Sequence, residues 1–426
     1  MNHAVLGRTP TNRMLPADAM MWRLGQDSRT RSNVVITYLL DRTPDWEMLR
    51  AAHHNVSKHV RRARQSVRSP RNPWASPTWC DIRSFSVDQH LHRVTLAPGS
   101  GMEGILELCR RAQAKQWDPN RPLWEASLVE GFDNGRAAYI LSFHHCLTDA
   151  QGLSGLTAEI MRKTAPSPRP SKIRSDSSLP RRVIAPIKGA LLFPPYLFAS
   201  RSVLWRTRST ERQLITLDVP LDWLKSAGRA AGGTINDTFL ASVLAAMSRY
   251  HERFGAPLKR VPTAFPVAVA PPSPAQPGNQ FRGLYFVVPD SETDPLKRIR
   301  RVNRIVQRST ETKHLTRAMA WRLVSPVVVP ITLRCMAQSD FLTSNIKGPS
   351  RSFNMFDARV EAIYGFAPLV GSAVMLCLTS YQGMCHIAIT LDPAAIRDAA
   401  YFRTCLDEAV SELRDAVTPQ TDSGVR

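Results

Sequence analysis

Residues 137–152 have the sequence AAYILSFHHCLTDAQG, in which an apolar run leads directly into two histidines and then into a loop. A short, continuous apolar run of this kind predicts a buried β-strand. Asp149 follows His145 by four residues, and we predict a helix that starts just past Asp149 and ends near residue 163. Because adjacent strand residues point to opposite faces, we expect one of His144 and His145 to face a cleft and the other to face the core.

A single accessible imidazole at this position predicts proton transfer rather than metal chemistry. Imidazole titrates near neutral pH, which suits removal of a proton from a hydroxyl, whereas a metal site needs three or more convergent ligands. A second pair, His53-His54, lies in a helical pattern without an aspartate at the same spacing, and we interpret it as structural. We expect Cys146 to be a small buried thiol rather than a nucleophile, and the sequence contains no G-x-S-x-G elbow.

Helical and strand-like patterns alternate along the rest of the chain, which predicts an α/β fold. We predict helices at 14–24, 45–67, 104–115, 234–254, 294–314 and 398–416, and strands at 33–40, 87–96, 124–131, 137–143, 214–219, 261–269, 283–289, 373–380 and 385–391. Thr43 and Pro44 predict the start of the second helix, as an N-cap followed by a proline at the first helical position.

The length of 426 residues favours two domains. We place an N-terminal domain at 1–163, a Pro/Ser/Arg-rich linker or crossover at 164–212 and a C-terminal domain at 213–426. Seven scattered cysteines and the absence of an apolar h-region at the N-terminus predict a cytoplasmic protein without disulfides or a secretory signal. Prolines and charged residues interrupt the apolar stretch 183–205, so we expect any membrane contact to be peripheral.

The chain is strongly basic, with 56 Lys and Arg residues against 35 Asp and Glu residues and a net charge of +21. Such a surface attracts anionic lipid headgroups, acidic carrier proteins or a nucleotide-bearing molecule such as coenzyme A. A solvated basic surface without a partner explains the charge equally well. Zinc-finger spacing and RNA-recognition signatures are absent, so we do not expect nucleic acid as a partner.

Five segments in a fixed order resemble the bacterial wax ester synthase/diacylglycerol acyltransferase family, which is related to the chloramphenicol acetyltransferases and the condensation domains. The family motif HHxxxDG is similar to residues 144–150, with Ala150 in place of the glycine. The other matching segments are LPADAMMW at 15–22, WDPNRPLWE at 117–125 with VEG at 129–131, TINDTFL at 234–240 and TSNIKGP at 343–349. Together the matches extend from about residue 14 to about residue 414.

The resemblance implies two chloramphenicol-acetyltransferase-like domains that form a pseudo-dimer with a tunnel at their interface. It implies transfer of a fatty acyl group from acyl-CoA, as a co-substrate and without a bound cofactor or metal, to a long-chain alcohol or diacylglycerol. His145 would be the general base beside His144, and transfer would be direct, without an acyl-enzyme. Asp149 would hold the loop by pairing with an arginine, and Arg61, Arg62 and Arg121 are all candidates.

The same resemblance implies that Gly152, Asn236, Asp237 and Asn345 contribute to substrate binding. Backbone amides near Gly152 or Asn236 would stabilise the oxyanion. Because alanine disfavours the positive φ that glycine permits, Ala150 leaves two alternatives open. One is an acyltransferase or condensation-type enzyme of natural-product biosynthesis that takes its acyl group from a carrier protein or CoA. The other is an inactive relative that binds lipid. A lipid droplet or an anionic membrane would be the peripheral partner.

Overall fold

The computed structural model describes residues 12–72, 75–148, 202–268, 279, 281–289, 292–311 and 339–417. The helix expected after Asp149 and residues 164–201 of the predicted linker lie outside the described residues, as do Asp149, Ala150 and Gly152 themselves. Within the described part of the chain, two six-stranded sheets carry seven α-helices. No helix in that part is both long enough and apolar enough to cross a membrane.

The first sheet holds the strand that leads into the histidines. Its strand order is β11-β12-β1-β6-β5-β4, with bounds β1 Asn33–Leu40, β4 Leu91–Thr95, β5 Trp124–Phe132, β6 Arg136–His144, β11 Asn354–Met355 and β12 Ala358–Phe366. Its helices are α1 (Pro16–Leu24), α2 (Trp46–His59) and α3 (Gly101–Ala114), and a separate hairpin joins β2 (Gln65–Arg68) to β3 (Thr78–Asp81). All eight residues of β1 are buried, as expected for a central strand covered on both faces.

The second sheet has the order β7-β14-β13-β10-β8-β9. Its strands are β7 Gln213–Pro220, β8 Arg260–Ala268, β9 Phe281–Pro289, β10 Phe341–Lys347, β13 Val374–Tyr381 and β14 Met384–Leu391, and its helices are α4 Leu221–Ala230, α5 Ile235–Arg253, α6 Pro295–Glu311 and α7 Ala399–Asp415. Gln382 and Gly383 form the turn between β13 and β14 with φ values of 47° and 81°, as a two-residue hairpin turn requires.

The two halves of the chain are interlocked. Strand β12 comes from the C-terminal half but pairs antiparallel with β1 in the first sheet. One face of the first sheet packs on α1 and α2, and its other face packs on α3 and on the second sheet. Val35 and Ile140 of the first sheet share that inter-sheet cluster with Cys377 and Ala388 of the second. The predicted C-terminal domain, 213–426, therefore contributes two strands to the N-terminal sheet.

Most predicted elements are present, but the second helix is not as predicted. It begins at Trp46 with Asp45 as its N-cap, because the Asp45 side chain accepts a hydrogen bond from the amide of Met48. The predicted cap of Thr43 and Pro44 is therefore wrong. The helix ends at His59 rather than near residue 67, since Val60 has φ −101° and the chain then turns into β2. Helix α4 and strands β2, β3, β10, β11 and β12 were not predicted.

Candidate active site

His144 is the last residue of β6 and is almost completely buried. Its ring packs against Trp22, and Gly25 lies so close that a Cβ there would be 2.1 Å from the His144 Nε2. The Nδ1 atom accepts a hydrogen bond of 3.2 Å from the amide of Cys146, so the ring proton is on Nε2. Burial lowers the pKa of His144 to about 3. The ring is therefore neutral and lies in the core at the start of the loop.

His145 is partly exposed, in contrast to His144. Its amide donates to the carbonyl of Ser32 at 2.7 Å, and its own carbonyl accepts a hydrogen bond of 2.8 Å from Asn279 Nδ2. The Nδ1 atom of His145 is shielded from solvent. One ring therefore lies in the core and the other residue is partly accessible, whereas the cleft expected at His145 stays a prediction.

Three residues from distant parts of the chain surround the backbone of this loop. Asp18 is fully buried, and its Oδ2 accepts a hydrogen bond of 3.0 Å from Arg62 Nη1. The same Nη1 donates to the carbonyl of Leu147 at 3.1 Å. The Asp18 Oδ1 accepts hydrogen bonds of 2.9 Å from both the amide and the Nδ2 of Asn279. Burial raises the pKa of Asp18, and the charge of Arg62 opposes that rise.

The three arginines proposed as partners of Asp149 have different surroundings. Arg62 reaches the histidine loop, whereas Arg61 pairs with Asp81 and Arg121 donates to the carbonyl of Gln89. The partner of Asp149 itself stays a prediction, because Asp149 lies outside the described residues. Sequence reasoning missed Asn279 and the Arg62 ion pair with Asp18. The available signal was a lone acidic residue inside the otherwise apolar segment 15–22.

Two other predictions about reactive side chains agree with the structure. Cys146 is fully buried, and burial raises the pKa of its thiol well above the ordinary value, so the thiol is a poor nucleophile. His53 is buried between the carbonyl of Leu49 and the hydroxyl of Tyr139, both 2.8 Å away, and burial lowers its pKa to about 4. Among the described residues, no three His, Cys, Asp or Glu side chains form a group that could hold a metal ion.

Three of the four residues predicted to bind substrate lie in the second half of the chain, and the fourth, Gly152, lies outside the described residues. Asp237 forms a capping box with Thr234, and its Oδ2 also accepts a hydrogen bond of 2.8 Å from Asn303. Asn236 is partly buried in the first turn of α5, and Asn345 is exposed on β10. The observed contacts give Asp237 a structural role as a helix cap. Substrate binding by Asn236, Asp237 and Asn345 stays a prediction.

The fold is of the chloramphenicol-acetyltransferase-like class, which wax ester synthase/diacylglycerol acyltransferases and condensation domains share. By structure, the chain is similar to a wax ester synthase/diacylglycerol acyltransferase from Marinobacter aquaeolei, with a TM-score of 0.65, 18% identity and coverage of 95% of this chain and 99% of that one. It is similar to the first condensation domain of the calcium-dependent antibiotic synthetase, with a TM-score of 0.70, 13% identity and coverage of 97% and 98%. These likenesses confirm the predicted fold class.

Sequence comparison identifies the family. Residues 14–191 match the wax ester synthase/diacylglycerol acyltransferase catalytic domain, and residues 277–414 match the C-terminal domain of the same family. A putative diacylglycerol O-acyltransferase of Mycobacterium tuberculosis is 30% identical, with coverage of 93% of this chain and 91% of that protein. The chain belongs to the wax ester synthase/diacylglycerol acyltransferase family, as the five sequence segments predicted, and it is an acyltransferase.

Proposed function

We propose that this chain transfers a fatty acyl group from acyl-CoA to the hydroxyl of diacylglycerol or a long-chain alcohol, with His145 as the general base. The observation that carries the proposal is the contrast between the two histidines. His144 is buried and neutral, whereas His145 is partly exposed on a backbone held at both its amide and its carbonyl. A base needs this combination of access and fixed position.

The proposed reaction is a direct transfer between two substrates. Because Nδ1 of His145 is shielded, Nε2 is the nitrogen that accepts the hydroxyl proton. The alcohol oxygen then attacks the thioester carbonyl carbon, and the carbonyl oxygen becomes an oxyanion. When the carbon–sulfur bond breaks, the imidazolium returns its proton to the thiolate of CoA. The protonated state of the buried Cys146 thiol supports a route without an acyl-enzyme.

The oxyanion needs hydrogen-bond donors that are already in place. Amides at the start of a helix have no acceptor within the helix, and Asn236 lies in the first turn of α5. We propose the amide of Asn236, or amides near Gly152, as those donors. The Thr234–Asp237 capping box supports this assignment because it fixes the helix start without placing a side chain on the Asn236 amide.

The two faces of helix α6 suggest which surface of the protein contacts the source of a hydrophobic acceptor substrate. Its apolar face includes the fully buried Ile299 and Val302. Exposed basic residues at helical spacing form a stripe on the opposite side: Lys297, Arg300, Arg304 and Arg308. We propose that this stripe contacts the anionic surface of a membrane or lipid droplet, where diacylglycerol and long-chain alcohols reside. An acidic carrier protein that delivers the acyl group is the second candidate partner.

A two-donor assay tests the proposed substrates. The purified protein is incubated with radiolabelled palmitoyl-CoA or with a palmitoyl-loaded acyl carrier protein, and with diacylglycerol or hexadecanol as acceptor. Mass spectrometry then identifies the products. The proposal expects triacylglycerol or wax ester from the CoA donor. Product from the carrier donor alone would favour the natural-product enzyme, and no product from either donor would favour an inactive lipid-binding relative.

A further inference from the structure

The carboxylate of Asp18 lies at the centre of two parallel hydrogen-bonded arms. In the first arm, Asn279 Nδ2 donates to Asp18 Oδ1 at 2.9 Å and to the carbonyl of His145 at 2.8 Å. In the second arm, Arg62 Nη1 donates to Asp18 Oδ2 at 3.0 Å and to the carbonyl of Leu147 at 3.1 Å. Each carboxylate oxygen therefore orients one donor group that also holds one carbonyl of the histidine loop.

Hydrogen bonds from the amides of residues 144–147 already restrain this part of the loop, and the two arms add restraint at its carbonyls. The amides of His144 and His145 donate to Leu123 and Ser32, the amide of Cys146 donates to the His144 ring, and the amide of Leu147 donates to the His144 carbonyl. The arms from Asp18 hold the carbonyls of His145 and Leu147, which flank Cys146. Loss of Asp18 would release both carbonyls together, whereas loss of either donor would release only one.

The arms also join separate parts of the fold. Asp18 lies on α1, Arg62 lies in the turn after α2, and Asn279 lies in the connection between β8 and β9 of the second sheet. Asp18 is fully buried, and the side chain of Arg62 is 14% exposed. Because the site is buried, water has little access to it and does not easily replace the carboxylate. A buried donor that loses its acceptor costs its full desolvation free energy.

We propose that Asp18 is a positioning residue for His145, acting through Arg62 and Asn279 without contact to the substrate. The proposal rests on the proposed role of His145 as the base. A second explanation is that the ion pair only stabilises the fold. The two explanations differ for a variant that lacks the carboxylate but is stably folded. The positioning role expects such a variant to have a lower kcat, whereas a purely stabilising role expects the wild-type kcat.

Steady-state kinetics with diacylglycerol and palmitoyl-CoA separate these explanations. Asp18→Asn keeps the side-chain volume, but its amide can accept from only one of the two arms. We expect kcat to fall at least tenfold while KM for palmitoyl-CoA changes less than twofold. Asn279→Ala keeps the Asp18–Arg62 ion pair and removes one arm, and we expect a smaller fall in kcat of the same kind. The matched control is Asp81→Asn, which breaks the exposed Arg61–Asp81 pair and should leave kcat within twofold.

The double variant Asp18→Leu/Arg62→Met replaces the ion pair with apolar side chains, which often preserves stability. We expect this variant to fold and still show at least a tenfold lower kcat. Wild-type kcat in this variant, or in a folded Asp18→Asn or Asn279→Ala protein, would overturn the proposal. If Asp18→Asn does not fold, Asn279→Ala and the double variant decide the question.

Hydrogen exchange gives a readout that does not depend on activity. Peptides covering residues 140–148 should exchange at least threefold faster in Asp18→Asn than in wild type, and the same peptides in Asp81→Asn should match wild type. Unchanged exchange in Asp18→Asn would overturn the positioning role. If His145→Ala retains wild-type turnover while the exchange result holds, the proposed base is wrong but the restraint of the loop by Asp18 stands.

Discussion

Gly25→Ala should destabilise the protein, although the backbone at this position suits alanine. Gly25 has φ −67° and ψ −11°, where replacing glycine by alanine ordinarily stabilises by about 0.4–1 kcal/mol. Here the new Cβ would lie 2.1 Å from His144 Nε2, whereas ordinary contact begins at 3.4 Å. The ring or the helix end would have to move by roughly 1.3 Å, the difference between these two distances.

The surroundings of His144 resist that movement. The ring is packed against Trp22, and its Nδ1 holds the amide of Cys146. Overpacking a core typically costs about 1–3 kcal/mol, and a lost hydrogen bond costs about 1 kcal/mol more. After the gain from alanine is subtracted, we expect Gly25→Ala to lower the free energy of unfolding by about 1–3 kcal/mol. Because the displaced ring carries the loop of His145, kcat should fall as well.

Urea unfolding in a double-mutant cycle measures this effect. The perturbation is Gly25→Ala in wild type and in His144→Ala, where the ring that causes the clash is absent. In the His144→Ala background, we expect Gly25→Ala to lower the free energy of unfolding by less than half as much as in wild type, or to raise it. If Gly25→Ala stabilises the wild-type protein, or if its effect is the same in both backgrounds, the assigned packing of His144 is incorrect.

Two further predictions concern pH and the basic stripe. His251 is a further fully buried histidine, on α5. Burial lowers the pKa of His53 and His251 to about 4 and that of His144 to about 3, so the unfolded chain binds protons first as pH falls below 6.5. The contribution of these histidines to the free energy of unfolding is therefore fully present above pH 6.5 and is lost as the pH falls towards 4. Urea titrations should show the free energy of unfolding falling on the order of 2 kcal/mol per histidine between pH 7 and pH 5. His53→Gln should reduce that loss, and an identical pH dependence in this variant would contradict the assignment. For the stripe, Arg300→Glu/Arg304→Glu should weaken sedimentation with phosphatidylglycerol vesicles at least fivefold. The control, Arg403→Glu/Arg414→Glu on α7, makes the same change in net charge and should not weaken it. Equal effects of the two variants would show that net charge alone governs binding.

Local patterns were sufficient to predict the strands and helices that carry their own signals. Strands at 373–380 and 385–391 were predicted because two alternating segments flank Tyr381-Gln382-Gly383, and in the structure they form the antiparallel pair β13–β14. The predicted second helix was too long because the arginine-rich residues 61–64 continue a helical pattern. In the fold, the chain has to turn there so that Gln65 can pair with Asp81. Helix length at this point is set by a partner strand and not by local propensity.

The arrangement around His145 depended on contacts that no local pattern contains. Strand β12 pairs with β1, which places Phe366 opposite Val35 although the two residues are far apart along the chain. The Asp18 arms likewise combine residues 18, 62 and 279, and the burial of His144 depends on Gly25, the residue directly after α1. The histidine pair itself could be predicted because strand periodicity divides neighbouring residues between two faces.

The most direct test of the central claim is single-turnover transfer from palmitoyl-CoA to diacylglycerol by His145→Ala. General-base catalysis typically contributes about 10²–10⁴-fold to the rate, so the transfer rate should fall at least a hundredfold. The matched control is His54→Ala, which removes a partly exposed histidine on α2 and should keep the rate within twofold. A His145→Ala protein that transfers the acyl group at the wild-type rate would show that His145 is not the base.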